Sequence, residues 1–286
     1  VLSRSLLFVP ADQETMISKV NQLEADIILL DLEDAVAIET KPAARDLLKK
    51  HIQYWHRPVF IRINSIETTD FLDDMTFIKS LGNSNALQGF MLPKASSKED
   101  IEKLAQHLED AEQYNQLDKT YLILPLIESA AGVKKAHEIA VASERITRLA
   151  FGGVDFTHDI GAQDTPQEHE LLYARSEIVI SSRVANIKKP IDTVYTHLKD
   201  SEGFRQSSSY AKSLGFGGKL LIHPAQIEPA NDVFSPTDDE ISFAKELVKH
   251  AEAQAGTFQL NGKMIDRPVI EKAYQVLEDE KAINNG

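Results

Sequence analysis

The sequence predicts a (β/α)8 TIM barrel with a C-terminal helical extension, on three observations. Eight short apolar, β-branched runs recur, at residues 5–10, 26–33, 59–64, 89–94, 121–128, 148–153, 191–195 and 219–224. Between them lie stretches with helical periodicity and charged faces, for example 41–54, 98–113, 133–143 and 167–186. The chain has 286 residues, and one such barrel takes roughly 250.

Runs without polar alternation suit parallel strands covered on both faces, and their alternation with helices implies right-handed βαβ units. Eight such units are expected to close on themselves. An open doubly wound sheet is the competing architecture, but no G-x-G-x-x-G follows the first run. The barrel is assigned to residues 1–234 and the extension to 235–286. Pro236 and the acidic pair Asp238 and Asp239 open a helical stretch to about 254, and carboxylates favour a helix N-terminus. Residues 256–266 read as turn-rich, and a final helix is expected over about 268–281.

Composition narrows the function classes. Lys and Arg number 31 against 44 Asp and Glu, a formal charge of −13 that repels nucleic acid and anionic lipid. No basic run offsets it, and no apolar run reaches the ~20 residues that span a bilayer, so neither nucleic acid nor membrane is expected as a partner. The absence of Cys rules out disulfides, thiolate metal sites and a cysteine nucleophile, and points to a reducing, cytoplasmic setting. Because the first residue is Val, a processed organellar targeting segment stays open.

In a barrel the side chains at the C-terminal ends of the strands line the site, and here those ends are polar. The second run ends Asp31-Leu32-Glu33-Asp34, the third carries Arg62 and Asn64, the fourth ends in Lys94, the fifth in Glu128, and the sixth leads into Gly152-Gly153-Val154-Asp155. A period of two puts Val59, Ile61 and Ile63 on one face and Phe60, Arg62 and Asn64 on the other. If the apolar trio faces the helices, Arg62 points inward. Its fork then grips a substrate carboxylate, or forms a structural ion pair with Asp31, Glu33 or Glu128.

Glu128 and Asp155, at neighbouring strand ends, would converge, and two like charges side by side need a cation or a shared proton. Oxygen ligands favour Mg²⁺, with Mn²⁺ as a substitute, over Zn²⁺. Helix capping or salt bridging accounts for such acids equally well. The Gly152-Gly153 pair allows close backbone approach, and its N–H groups are candidates to hold an oxyanion, although a tight turn explains the glycines too. His223 sits at the end of the eighth run, where a structural role is the commoner one. His158 and His169 read as surface residues.

Taken together, Arg4-Ser5-Leu6-Leu7-Phe8-Val9-Pro10, Asp31-Leu32-Glu33-Asp34-Ala35-Val36, Arg62-Ile63-Asn64, Leu92-Pro93-Lys94, Ile127-Glu128-Ser129-Ala130, Phe151-Gly152-Gly153-Val154-Asp155-Phe156 and Ile222-His223-Pro224 resemble the citrate lyase β-subunit-like family. That family includes malyl-CoA and citramalyl-CoA lyases. The resemblance implies an enzyme that cleaves, or forms, a 3-hydroxyacyl-CoA thioester, giving acetyl-CoA and a 2-oxo acid. It implies Mg²⁺ on Glu128 and Asp155, the oxo acid on Arg62 and Glu128, and Glu33 and Asp34 in support. It further implies a homo-oligomer, a trimer, in which Asp266 is the catalytic base and reaches a neighbouring subunit's barrel. On its residues alone, Asp266 reads equally as a helix cap. Two alternatives stand beside this reading. One is a citrate lyase β subunit acting on a citryl acyl-carrier protein within a complex. The other is a non-catalytic barrel subunit.

Overall fold

All eight apolar runs become strands of one closed parallel barrel: β1 (Ser5–Pro10), β2 (Ile27–Asp31), β3 (Val59–Arg62), β4 (Leu87–Leu92), β5 (Leu122–Ile127), β6 (Ala150–Phe151), β7 (Ile191–Asp192) and β8 (Gly218–Leu221). The strands follow one another around the barrel in sequence order, and β1 closes it by pairing with β8. This is a computed structural model, describing residues 2–253, 257–260 and 262–284.

The pleat sorts each strand between two cores. Leu6, Ile27, Leu29, Phe60, Met91, Leu124, Leu126, Ala150, Ile191 and Leu220 fill the barrel interior. Their neighbours Leu7, Val9, Ile28, Leu30, Val59, Ile61 and Ile63 face the surrounding helices. Arg62 has the inward parity of Phe60, as the alternation predicts. Asn64 does not follow. β3 ends at Arg62, so the period of two has stopped, and the Asn64 amide turns outward to donate to Asp74 Oδ2 at 2.8 Å on the helix Thr69–Ser80.

The helices start and stop where local chemistry directs. Ser97 and Asp100 form a reciprocal capping box that opens the helix Lys98–Tyr114, whose Ile101, Leu104, Leu108 and Ala111 are buried. Gly215, at φ 113°, ends the helix Ser201–Leu214 in the left-handed region that glycine adopts without penalty. The helix expected over 133–143 is instead two short ones, Ala130–Lys134 and Ala136–Ala140. Within 167–186, a 3-10 turn His169–Leu171 precedes the helix Leu172–Val184.

After the helix Ile227–Phe234 the chain forms the helix Asp238–Ala253, then the helix Arg267–Asn284. Between these two, β9 (Phe258–Leu260) and β10 (Lys263–Ile265) pair as an antiparallel hairpin. The expected turn-rich segment therefore contains a small sheet; its residues 256 and 261, and the expected helix end at 254, lie outside the described residues. Ala244, Leu247, Leu260, Ile265 and Ala273 make a separate apolar cluster for this tail. Among the described residues no helix is long and apolar enough to cross a membrane.

Candidate active site at the C-terminal ends of the strands

Register brings Asp31 and Arg62 side by side on β2 and β3. Arg62 donates to Asp31 through both prongs, Nε to Oδ1 at 2.8 Å and Nη2 to Oδ2 at 2.5 Å. Its remaining prong, Nη1, lies 3.1 Å from Glu33 Oε2 and 3.8 Å from Asp34 Oδ2, while the Phe8 ring packs 4.7 Å from the guanidinium carbon. Burial opposes the charge, but hydrogen bonding to Asp31 and the charges of Asp31, Glu33 and Asp34 outweigh it and hold Arg62 firmly protonated. The fork that the sequence offers to a substrate carboxylate is thus already filled by Asp31, and only Nη1 faces the loop after β2. Asp31 also accepts from the Glu33 and Ala35 N–H groups, so one carboxylate fixes both the arginine and that loop.

Glu128 follows β5 and is only 4% exposed. Burial, then the charges of Glu33 and Asp155, push its carboxyl up to about 8. Oε1 accepts from the Lys94 N–H at 2.6 Å. On the other side Gly152 gives it room: a Cβ there would lie 2.7 Å from both Cβ and Oε2 of Glu128. Glycine at 152 is therefore required by the close approach of the carboxylate.

Asp155 sits in the first turn of the helix Gly153–Asp159. The Gly152 N–H donates to Ile127 O at 2.9 Å and the Gly153 N–H to Thr193 Oγ1 at 2.8 Å. Both donors are engaged, which corrects the expectation that they hold an oxyanion; their work is to tie the β6 loop to its neighbours. Thr193, absent from the sequence reading, anchors the segment that carries Asp155.

A cavity of about 310 Å³ opens here, lined by Ser65, Glu67, Lys94, Asp100, Glu128 and Asp155 among others. Two of its acids are engaged as caps: Asp100 accepts from the Ser96 and Ser97 N–H groups, and Asp159 from the Ala130 N–H at 2.7 Å. Arg62 does not line this cavity; Lys94 does. Glu33 is buried beneath it, with 3.0 Å from Oε1 to Lys94 Nζ. Neither Glu33 oxygen has a partner in good hydrogen-bond geometry, so its contacts with Arg62 and Lys94 are ion pairs at distance rather than aligned bonds. Burial, opposed by Arg62 and Lys94, leaves its carboxyl above the usual range.

The remaining sequence candidates lie elsewhere. Asp266 is exposed and precedes the helix Arg267–Asn284, where its Oδ1 accepts weakly from the Val269 N–H at 3.4 Å. It does not line the cavity of its own barrel. His223 Nδ1 accepts from the Ala225 N–H at 3.1 Å, a turn contact. His158 and His169 are exposed.

Glu128, buried and acted on by the charges of Glu33 and Asp155, is pushed up to about 8, a charge arrangement that a divalent cation would relieve. Oxygen donors suit Mg²⁺. Among the described residues no three acidic or histidine side chains are gathered to cage an ion unaided. A cation on Glu128 and Asp155 would therefore take further oxygens from ligand and water.

Residues 4–224 match the model of the HpcH/HpaI aldolase/citrate lyase family. The citrate lyase subunit beta of Leuconostoc mesenteroides subsp. cremoris is 35% identical over 97% of this chain and 93% of its own. The mitochondrial citramalyl-CoA lyase of Rattus norvegicus is 30% identical over 96% and 85%. In structure the chain is similar to protein CitE from Mycobacterium tuberculosis in complex with magnesium, acetoacetate and coenzyme A, with a TM-score of 0.81, 26% identity and 98% of both chains covered. A family match across the barrel, with relatives and a solved structure aligned along nearly the whole length, establishes that this chain belongs to the HpcH/HpaI aldolase/citrate lyase family.

Proposed function

We propose that the chain is a Mg²⁺-dependent carbon–carbon lyase that cleaves a 3-hydroxyacyl-CoA thioester, such as citramalyl-, malyl- or citryl-CoA, into acetyl-CoA and a 2-oxo acid. The observation that carries this reading is that Glu128, pushed up by burial and by the charge of Asp155, lines one cavity with Asp155 at the mouth of a barrel whose relatives include a citramalyl-CoA lyase. A solved structural relative with magnesium, acetoacetate and coenzyme A supports the ligand classes.

Glu128 and Asp155 would hold the cation, which when bound supplies Lewis-acid stabilisation to the oxygen that becomes the oxo group. Glu128, buried and pressed against Gly152, holds one edge of the ligand in place, with the Gly152–Gly153 backbone beside it. Arg62 contributes its charge from below, through Nη1 and through Asp31, while Glu33 and Asp34 keep that prong in place. Cleavage needs a base for the 3-hydroxyl proton. As the proton leaves, the C–C bond breaks and its electron pair moves onto the thioester as an enolate, which is protonated to the acetyl thioester.

Asp100 and Asp159 are engaged as caps and Glu128 and Asp155 are given to the cation, and the family resemblance implies a base delivered from outside the barrel. We assign it to Asp266 of a neighbouring copy. The barrel is taken as residues 1–234, and the extension, 235–286, carries Asp266 to that neighbour within a symmetric oligomer, which we take to be a trimer. The weak cap to Val269 leaves the Asp266 carboxylate exposed for this task.

The test is to incubate the protein with Mg²⁺ and malyl-, citramalyl- and citryl-CoA and to assay release of the oxo acid. Turnover of at least one thioester, lost with EDTA, is expected; no release from any of them rejects the proposal. The 35% identity to a citrate lyase subunit beta favours a second reading, action on a citryl acyl-carrier protein within a complex. That reading predicts turnover of the carrier-bound thioester together with inertness toward free CoA esters.

A further inference from the structure

Asp155, one of the two carboxylates assigned to the cation, is exposed in the first turn of the helix Gly153–Asp159. Within that helix Thr157 Oγ1 donates to Gly153 O at 2.7 Å and Asp159 accepts from the Ala130 N–H; among the described residues the Asp155 carboxylate has no such partner. Its aim is set by its backbone, and the backbone by whatever holds the first turn.

Two successive N–H groups hold that turn from opposite sides. Gly152 donates to Ile127 O on β5, the strand that leads into Glu128, and Gly153 donates to Thr193 Oγ1 just beyond β7. The first anchor ties Asp155 to the strand of its companion carboxylate. The second limits how far the turn can swing away from it. Gly153 is pressed onto this second anchor: a Cβ there would lie 3.0 Å from both Cγ2 and Oγ1 of Thr193 and 3.2 Å from Leu171 Cδ1, closer than the ordinary 3.5–4.0 Å of carbon–carbon contact.

Thr193 is itself firmly placed. It is buried, and Asp192 immediately before it is completely buried, accepting from Arg175 Nε at 2.8 Å, from Arg175 Nη2 at 3.0 Å and from Lys219 Nζ. On the helix, Phe156 and Thr157 are buried, with Phe156 packed edge-on against Phe151, while Val154 and Asp155 stay outside. Apolar packing is non-directional, so that inner face alone tolerates small rotations of the segment. The hydrogen bond to Thr193 is directional and does not.

We propose that Thr193 is a positioning residue for the cation site, its hydroxyl setting the aim of Asp155 relative to Glu128 and so the affinity of the carboxylate pair for Mg²⁺. This rests on the lyase reading and deepens it by giving the cation an outer support drawn from β7. Supports of this kind are typically worth about 10–100-fold in metal affinity.

The experiment uses the full chain and titrates Mn²⁺ by its resonance signal, without substrate, at a temperature where every variant is folded; calorimetry gives each Tm. Thr193→Val keeps a methyl against Gly153 but leaves the Gly153 N–H buried without an acceptor. Thr193→Ser keeps the acceptor and drops the methyl. Both are expected to lower Tm, but only Thr193→Val should weaken Mn²⁺ binding, by about tenfold, with Thr193→Ser within about twofold of the unsubstituted chain. Gly153→Ala reaches the same contact from the other side and should also weaken Mn²⁺ binding, because its Cβ meets Thr193. A merely structural role would lower Tm and leave Mn²⁺ affinity level throughout. Unchanged affinity in Thr193→Val overturns the assignment, as does an equal loss in Thr193→Ser. Should Thr193→Val not fold, Gly153→Ala decides, and Mn²⁺ affinity unchanged in it overturns the assignment. If the unsubstituted chain takes up no Mn²⁺, the cation reading falls along with it; if it does and the variants match it, only the role of Thr193 falls.

Discussion

The barrel wall holds two charged clusters that were built to opposite rules. Between β7, β8 and the outer helices, Arg175, Asp192 and Lys219 are completely buried and closed on one another. Arg175 Nε lies 2.8 Å and Lys219 Nζ 2.5 Å from Asp192, and Arg175 Nη1 lies 2.9 Å from Glu168. Two cations meet two anions, and Ser207 binds both Lys219 and Glu168. At the mouth, Glu33 and Glu128 share the influence of Arg62 and Lys94, with Asp155 acting on Glu128, but Asp31 has claimed most of the arginine. The first set is neutral and sealed, the second short of positive charge and open to a cavity. A closed set of charges fixes architecture; an open one is prepared for something to arrive.

The largest effects should come from breaking the open cluster. Glu128→Ala removes a proposed cation ligand and Asp266→Asn the proposed base. Each is expected to fold normally, Glu128→Ala to lose all measurable turnover and Asp266→Asn to lose about 10²–10⁴-fold, the usual worth of a positioned base. Asp266→Asn should keep its affinity for Mg²⁺ and for the oxo acid. Mixing the two inactive chains under verified subunit exchange should restore partial activity, since some sites then combine an intact carboxylate pair with an intact Asp266. No recovery would reject delivery from a neighbour, and normal turnover by Asp266→Asn would reduce that residue to a helix cap.

Breaking the sealed cluster should instead cost stability. Asp192→Asn leaves Arg175 and Lys219 facing each other with Glu168 alone, an uncompensated buried charge worth about 3–5 kcal/mol. Urea unfolding would show it as a lowered midpoint at constant slope. Glu128→Gln in the metal-free protein should show no comparable loss, because burial and the neighbouring carboxylates already favour the uncharged form of Glu128. Equal destabilisation by both would erase the distinction between the clusters.

How much of this could be read from the sequence depends on how local each signal is. The inward aim of Arg62 was legible because alternation along β3 is a property of four consecutive residues. Its partner was not, because the pairing of Asp31 with Arg62 depends on the register between β2 and β3, and three nearby acids were equally eligible. Asn64 was misplaced because a strand's last residue has no marker in the sequence. The acids Glu128 and Asp155 stood out as polar ends of apolar runs, but the reason for Gly152, a carboxylate 2.7 Å from its absent Cβ, arises only across strands. Lys94 was visible merely as a strand end; a lysine whose φ is 53°, in the left-handed region, looks like any other in the sequence. In the tail, strands of three residues are too short to display a period, so the hairpin passed for a turn.

The smallest effect is also the one that separates the clusters by sign. In the sealed cluster, burial works against the Asp192 charge, but Lys219 and Arg175 outweigh it and hold the carboxyl below its ordinary 3.8. Its stabilisation is present above that value and is lost as pH falls through the folded value. Glu128 runs the other way, from an ordinary 4.5 to about 8 when folded. Between those values the native chain holds more protons than the unfolded one. Stability from Glu128 is therefore full below about 4.5 and is lost as pH rises through about 8, and Glu33, also shifted upward, adds to the same trend. The metal-free protein is expected to lose a few degrees of Tm between about pH 5 and pH 9, and Glu128→Gln to flatten that slope. Saturating Mg²⁺ should flatten it too, because the cation replaces the proton on Glu128. Calorimetry at about pH 7 in buffers of different ionisation enthalpy should then register release of about one proton per Mg²⁺ bound, declining toward zero as pH passes about 9. Binding without proton release, or an alkaline slope that survives in Glu128→Gln, would mean that the open cluster is already neutralised and that the contrast with Arg175, Asp192 and Lys219 is one of exposure alone.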